Sequence, residues 1–120
     1  MSLQKVLRTQ WRDYQHTHMA RANLVVHVLT VPVFMTGTAA LLCGAATLSL
    51  GYCVMGLLAM MLAMAAQGWG HKKETHPPAP FTSRTNAFVR IFLEQWVTFP
   101  RYAARMAWRA CCSDSIETMP

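Results

Sequence analysis

Residues 22–71 read ANLVVHVLTVPVFMTGTAALLCGAATLSLGYCVMGLLAMMLAMAAQGWGH, a run of 50 residues without one Lys, Arg, Asp or Glu. About 20 apolar residues cross the hydrocarbon core of a bilayer as a helix, so this run is long enough for two crossings. Its turn-like break lies near the middle, at residues 49–52 (SLGY). The sequence therefore predicts two transmembrane helices, residues 23–48 and 52–70, joined as a tight hairpin.

The composition agrees with a membrane protein. Of the 120 residues 53% are hydrophobic and 13% are charged, which predicts a single membrane domain covering residues 1–120. The formal charge is +6, but the basic residues all flank the apolar run. This distribution follows the positive-inside rule and predicts that both termini are cytoplasmic. It favours contact with anionic lipid over a nucleic-acid surface, and no nucleic-acid partner is expected.

The segments on either side of the run are amphipathic. In residues 3–18 the apolar and aromatic side chains recur every three or four residues, which predicts a helix that can lie at the membrane interface. A Pro-rich break at residues 76–80 precedes a second amphipathic segment, residues 83–110, and a disordered tail is expected at residues 111–120. The predicted fold class is an all-α membrane protein, a two-helix transmembrane hairpin with flanking amphipathic interfacial helices.

The polar residues of the apolar run lie at its two ends. Asn23 and His27 open the first predicted helix, and Gln67 and His71 close the second. Residues three or four apart share one face of a helix, and a hairpin brings its two ends together. The spacing therefore predicts that two polar clusters face each other on the cytoplasmic side.

Two flanking residues complete the candidate metal site. His18 closes the stripe of the first amphipathic helix, and Glu74 follows His71 by three residues. Histidines with one carboxylate suit non-haem Fe(II) that activates oxygen, and the same donors accept zinc. We therefore predict metal ligands at His18, His27, His71 and Glu74. Asn23 and Gln67 are expected to orient the imidazoles or a substrate head group.

Two alternatives remain open from the residues alone. Histidines at the ends of membrane helices often serve only as polar caps that reach the interface, as in a non-catalytic scaffold. Two helices presenting His27 and His71 could also bind haem from both sides, as in an electron-transfer module.

Two spaced motifs carry a family resemblance: His18-x4-Asn23-x3-His27-x4-Pro32, and Gln67-x3-His71-x2-Glu74 followed by Pro77-Pro78. With the line RIFLEQWVTFP at residues 90–100, the chain resembles a bacterial branch of the small membrane proteins related to the eukaryotic ER 2-hydroxy-fatty-acid dioxygenase. The resemblance spans about residues 11 to 102.

The resemblance implies an Fe(II)-dependent α-oxidation, in which a 2-hydroxy fatty acid loses its carboxyl carbon and becomes the acid one carbon shorter. The implied partners are a long-chain 2-hydroxy fatty acid or a related acyl lipid, O2 and membrane lipid. The expected location is a bacterial inner membrane or an ER-like membrane, with several crossings and the active site facing the cytoplasm.

Overall fold

The computed structural model describes residues 2–117, with side chains as far as residue 112. The chain forms α1 (Leu3–Thr17), α2 (Arg21–Thr47), α3 (Leu50–His71), α4 (Arg84–Leu93), a π-helix (Glu94–Thr98) and α5 (Phe99–Glu117). No strand occurs within these described residues. The prediction of an all-helical protein is confirmed.

Two helices in the described chain, α2 and α3, are long and apolar enough to cross a membrane. Large apolar side chains cover their outer surfaces; Leu29 and Leu62, for example, are 65% and 69% exposed. A soluble protein this small rarely leaves so many such side chains in water. The sequence predicted both helices, and their observed bounds differ from the predicted ones by one or two residues at each end.

α2 and α3 pack against each other in opposite directions. Leu48 and Ser49 connect them, and Leu48 has the left-handed conformation (φ 55°) that ends α2. Glycines allow close approach of the two backbones. A Cβ atom at Gly56 would lie 2.5 Å from the carbonyl oxygen of Gly37, so a larger residue there would force the helices apart.

α1 packs beside the ends of α2 and α3 that lie away from the Leu48–Ser49 turn. Tyr14 of α1 is buried with Val31 of α2 and Phe99 of α5. Gln10 also ties α1 to the last helical segment. Its side-chain amide donates to the carbonyl of Arg90 at 2.9 Å and accepts from the hydroxyl of Thr98 at 2.6 Å.

Residues 84–117 are continuously helical, and a π-helical turn separates α4 from α5. Pro100 has no amide hydrogen to donate to the carbonyl one turn earlier, which removes one α-helical hydrogen bond. Just before it, the amide of Phe99 donates to the carbonyl of Glu94, five residues earlier instead of four. Pro100 therefore widens one turn of the helix and does not end it.

Helix α5 extends into the segment for which the sequence predicted a disordered tail. The sequence predicted a disordered segment at residues 111–120, but α5 continues through Glu117. Residues 118–120 lie outside the described residues. The cysteines at positions 43, 53, 111 and 112 are all in the described part of the chain, and none forms a disulfide.

Candidate metal centre

Three histidines converge where the open ends of α2 and α3 meet α1. His18 follows the last residue of α1, His27 lies two turns into α2, and His71 ends α3. Their ring centroids are 4.6, 4.8 and 5.0 Å apart, each pair edge to face. His18 and His27 are buried, whereas His71 is partly exposed. The structure thus brings together the three histidines singled out from the sequence.

The fourth member of the cluster is Glu94, which the sequence analysis did not select. Its Oε1 lies 3.3 Å from Nε2 of His18 and 3.3 Å from Nε2 of His27. One donor atom from each histidine and one from Glu94 all lie within 4.8 Å of one another. This set of three imidazoles and one carboxylate has the composition expected for a site that binds Fe(II) or Zn²⁺.

Hydrogen bonds at the outer nitrogens fix the orientation of two of these rings. Nδ1 of His18 lies 3.1 Å from the carbonyl oxygen of Tyr14, and Nδ1 of His27 lies 2.9 Å from that of Asn23. A carbonyl oxygen only accepts hydrogen bonds, so the contact at His27 places the proton of its neutral ring on Nδ1. Nδ1 of His18 also lies 2.9 Å from the hydroxyl of Thr17, which can donate or accept, so the carbonyl of Tyr14 allows a proton on Nδ1 there without requiring it. With the proton on Nδ1, the Nε2 lone pair of each ring points into the cluster.

In this tautomer no hydrogen lies between the two Nε2 atoms. The two Nε2 atoms are 3.3 Å apart, and both face the carboxylate of Glu94. Buried acceptors gathered in this way are stable only when a cation, either an added proton or a metal ion, lies among them. The donor set therefore fits a divalent metal.

Tyr14 supports the cluster from α1. Its ring stacks on His18 with centroids 3.8 Å apart, and its hydroxyl donates to Oε1 of Glu94 at 3.2 Å. Burial and the neighbouring carboxylate raise the pKa of Tyr14, so the phenol stays a hydrogen-bond donor. Tyr14 lies four residues before His18 and therefore on the same face of the predicted amphipathic helix.

Burial raises the pKa of the Glu94 carboxyl, but the hydrogen bonds and positive charge that His18 and His27 supply when they carry an added proton outweigh this effect and leave the pKa below its ordinary value. The carboxylate is therefore in the charged form that binds a cation.

Glu74 lies outside this cluster, contrary to its predicted place among the ligands. Its carboxylate accepts hydrogen bonds from the backbone amides of Met19 and Ala20 at 3.1 and 2.9 Å, and from the side-chain amide of Asn23 at 2.9 Å. Burial raises the pKa of Glu74, but these hydrogen bonds outweigh it and lower the pKa. α3 ends at His71, so Glu74 is turned toward the first turn of α2.

The position of Glu74 gives it a capping function. Ala20 precedes α2 and has no side chain that can cap the helix. The Glu74 carboxylate satisfies amides at this point and carries the negative charge that a helix N-terminus favours. Glu74 thereby links the segment that follows His18 to the end of α3, close to His71.

The two amides predicted to assist the site have different surroundings. Asn23 is fully buried, and its Nδ2 lies 3.5 Å from Nδ1 of His71. Gln67 instead forms a reciprocal pair with Gln95 of the π-helix, with amide contacts of 2.9 and 2.7 Å, and donates to Thr30 at 3.0 Å. Gln67 therefore joins α2, α3 and the π-helix beside the cluster and makes no hydrogen bond to its histidines.

A cavity of about 730 Å³ opens beside the cluster. Its wall includes His18, His71 and Glu94, and the rest comes from α1, α3, residues 78–82 and α4. Arg90 also lines the cavity, but its guanidinium donates to the carbonyls of residues 79 and 80 and so holds the Pro-rich segment in place. The cavity gives a ligand access to His18, His71 and Glu94.

Comparison of the chain with protein-family models, with curated proteins and with solved structures returned no match.

Proposed function

We propose that the protein is a non-haem Fe(II) dioxygenase of membrane lipid metabolism that shortens a 2-hydroxy fatty acid by one carbon. The observation that carries this proposal is the cluster of His18, His27, His71 and Glu94, whose donor atoms converge beside a cavity. Family resemblance supplies the substrate and the reaction. Bound at these donors, Fe(II) would supply the chemistry that activates O2 toward the 2-hydroxy acid.

Hydrogen bonds from neighbouring residues orient the side chains of the cluster for metal binding. Nδ1 of His18 and Nδ1 of His27 lie within hydrogen-bonding distance of backbone carbonyls, which would leave Nε2 of each ring free to bind metal. The Tyr14 hydroxyl orients the Glu94 carboxylate. The polar head of the substrate would enter the cavity beside His71, while the fatty chain stays among apolar side chains.

The reaction balances without an added reductant. One 2-hydroxy acid and one O2 give the shortened acid, CO2 and water: the carboxyl carbon leaves as CO2, and the carbon that bore the hydroxyl becomes the new carboxyl. O2 accepts all four electrons from the substrate. Neither 2-oxoglutarate nor an organic cofactor is required.

The purified protein, loaded anaerobically with Fe(II), should convert a long-chain 2-hydroxy fatty acid to the acid one carbon shorter when O2 is admitted. Mass spectrometry would measure the product, and an oxygen electrode should record one O2 consumed per product. A chelator should stop the reaction, and 2-oxoglutarate should not alter it. If folded, iron-loaded protein leaves a panel of 2-hydroxy acids unchanged, the substrate assignment is wrong.

The same preparation separates the alternatives. Elemental analysis after chelator-free purification identifies iron or zinc, and its absence would favour a scaffold. A Soret band would indicate haem. The cluster lends haem little support, because His18 lies within 4.8 Å of both His27 and His71, in the space that a porphyrin between them would need.

We further propose that α2 and α3 form a transmembrane hairpin with both termini cytoplasmic, in a bacterial inner membrane or an ER-like membrane. The basic residues support this topology, since all 11 lie outside residues 22–71 and none lies near the Leu48–Ser49 turn. The metal site would then face the cytoplasm.

Reporter fusions at the N- and C-termini should both report the cytoplasmic side, and a fusion inserted between α2 and α3 should report the opposite side. Opposite signals from the two termini would require a single crossing.

A further inference from the structure

A second cavity is lined by residues of α2, α3 and α4. Its volume is about 360 Å³, and every lining residue is apolar: Phe34, Leu57, Met60, Met61, Met64, Phe88, Ile91 and Phe92. The ring centroid of Phe92 lies 4.5 Å from that of Phe88, in a tilted arrangement, and 5.2 Å from that of Phe34, edge to face, which makes one wall aromatic. Methionines of α3 form the facing wall, and their flexible thioether chains adapt to the shape of an apolar ligand.

This apolar groove adjoins the cavity beside the metal centre. Met64 of α3 and Ile91 of α4 line both spaces, so the two spaces are neighbours at these side chains. Along α3 the path runs from His71 through Met64 to Leu57. At 1.5 Å per residue, these 14 residues span about 21 Å. One leaflet of the hydrocarbon core is about 15 Å deep, so the path is long enough for a lipid chain.

The groove opens laterally, on the outer surface of the two apolar helices α2 and α3. Met61 and Phe88 on its rim are 66% and 63% exposed. In a bilayer these side chains would contact lipid, and a chain could enter from the membrane without crossing water. The polar end of the path contains the histidines and Glu94, whereas the far end contains no polar group.

We propose that this groove binds the single acyl chain of the ligand whose polar head reaches the metal centre. The identity of the head rests on the proposed function, but the position of the chain does not. The groove then acts as a gauge of chain length, because Leu57 is the lining residue of α3 that lies farthest from His71.

Photo-crosslinking tests the position of the chain directly. The probe is 2-hydroxyhexadecanoic acid with a diazirine in the middle of its chain, added without O2 to the full-length, iron-loaded protein in lipid nanodiscs. Labelled peptides should map to Met60, Met61 and Phe88, and excess unlabelled acid should suppress the labelling. Leu29 and Leu62 are equally exposed but lie outside the groove. Equal, uncompeted labelling at these two positions would overturn the proposal.

A matched pair of variants tests whether the groove limits the length of the acyl chain. Leu57→Trp fills the far end of the groove and should weaken binding of the sixteen-carbon acid about tenfold or more, with little effect on a ten-carbon acid. Leu62→Trp adds the same ring outside the groove and should leave both affinities unchanged. Binding is measured without O2 by displacement of a fluorescent fatty acid. Equal effects of the two variants would contradict the proposal.

These binding experiments are independent of turnover. Localised labelling with no shortened product would support the groove and refute the dioxygenase reaction. Shortened product with uniform labelling would refute the groove alone.

Discussion

A Glu94→Gln variant should lose Fe(II) affinity by about 100-fold or more while remaining folded. Loss of a residue that merely orients a ligand typically costs 10- to 100-fold, and loss of a ligand should cost at least the upper value. The amide removes the negative charge that faces Nε2 of His18 and His27 at 3.3 Å. Metal content after dialysis and an Fe(II) titration would measure the effect, and the α-oxidation rate should fall in parallel.

Glu74→Gln provides the matched control, because it makes the same chemical change on the other candidate carboxylate. A glutamine there keeps one oxygen that can accept from the amides of Met19 or Ala20. We expect a loss of about 10-fold at most, through displacement of the segment that follows His18. A larger loss of metal from Glu74→Gln than from Glu94→Gln would restore Glu74 as the ligand and refute the site described above.

The two carboxylates also show where sequence patterns stop being informative. Glu74 was selected because it follows His71 by three residues, which places it on the same face only if the helix continues. α3 ends at His71, and the amide of Glu74 instead closes a turn onto the His71 carbonyl at 3.1 Å. Spacing cannot reveal such an end when neither Gly nor Pro follows at once.

Glu94 was not predicted, because its spacing in the sequence is typical of a solvent-exposed side chain. It follows Arg90 by four residues in an amphipathic segment, the pattern of a solvated ion pair on a helix surface. In the structure Arg90 binds carbonyls of the Pro-rich segment, and the π-helix turns both Glu94 and Gln95 inward. π-helical turns are frequent at functional sites but leave no periodic signature in a sequence. Pro100, which favours this turn, is visible in the sequence but does not reveal which side chains the turn directs inward.

The two long helices and the convergence of His27 and His71 could be predicted from composition and helical periodicity alone. An uninterrupted apolar run gives two long helices, and polar residues at its ends must meet once the helices pack in opposite directions. His27 and His71 were found in this way. His18 followed from its position at the end of the stripe that contains Tyr14. None of these steps required knowledge of how residues 84–117 cross the other helices.

Each of His18→Ala, His27→Ala and His71→Ala should remove most of the bound metal and reduce the α-oxidation rate at least about 100-fold. Each change deletes one imidazole from a cluster whose donor atoms lie within 4.8 Å of one another, and the remaining donors cannot complete the coordination. Metal analysis of the purified variants measures the first effect, and product formation measures the second.

His16→Ala and His76→Ala are the controls for this series. Both side chains are exposed, and neither belongs to the cluster, so metal content and rate should stay near wild type. Thermal unfolding without metal separates ligation from folding. His27 is fully buried, so His27→Ala leaves a cavity and should lower the midpoint, whereas partly exposed His71 should change it little. A His71→Ala protein that unfolds normally but binds no metal would identify His71 as a ligand. One that retains full metal would remove it from the site.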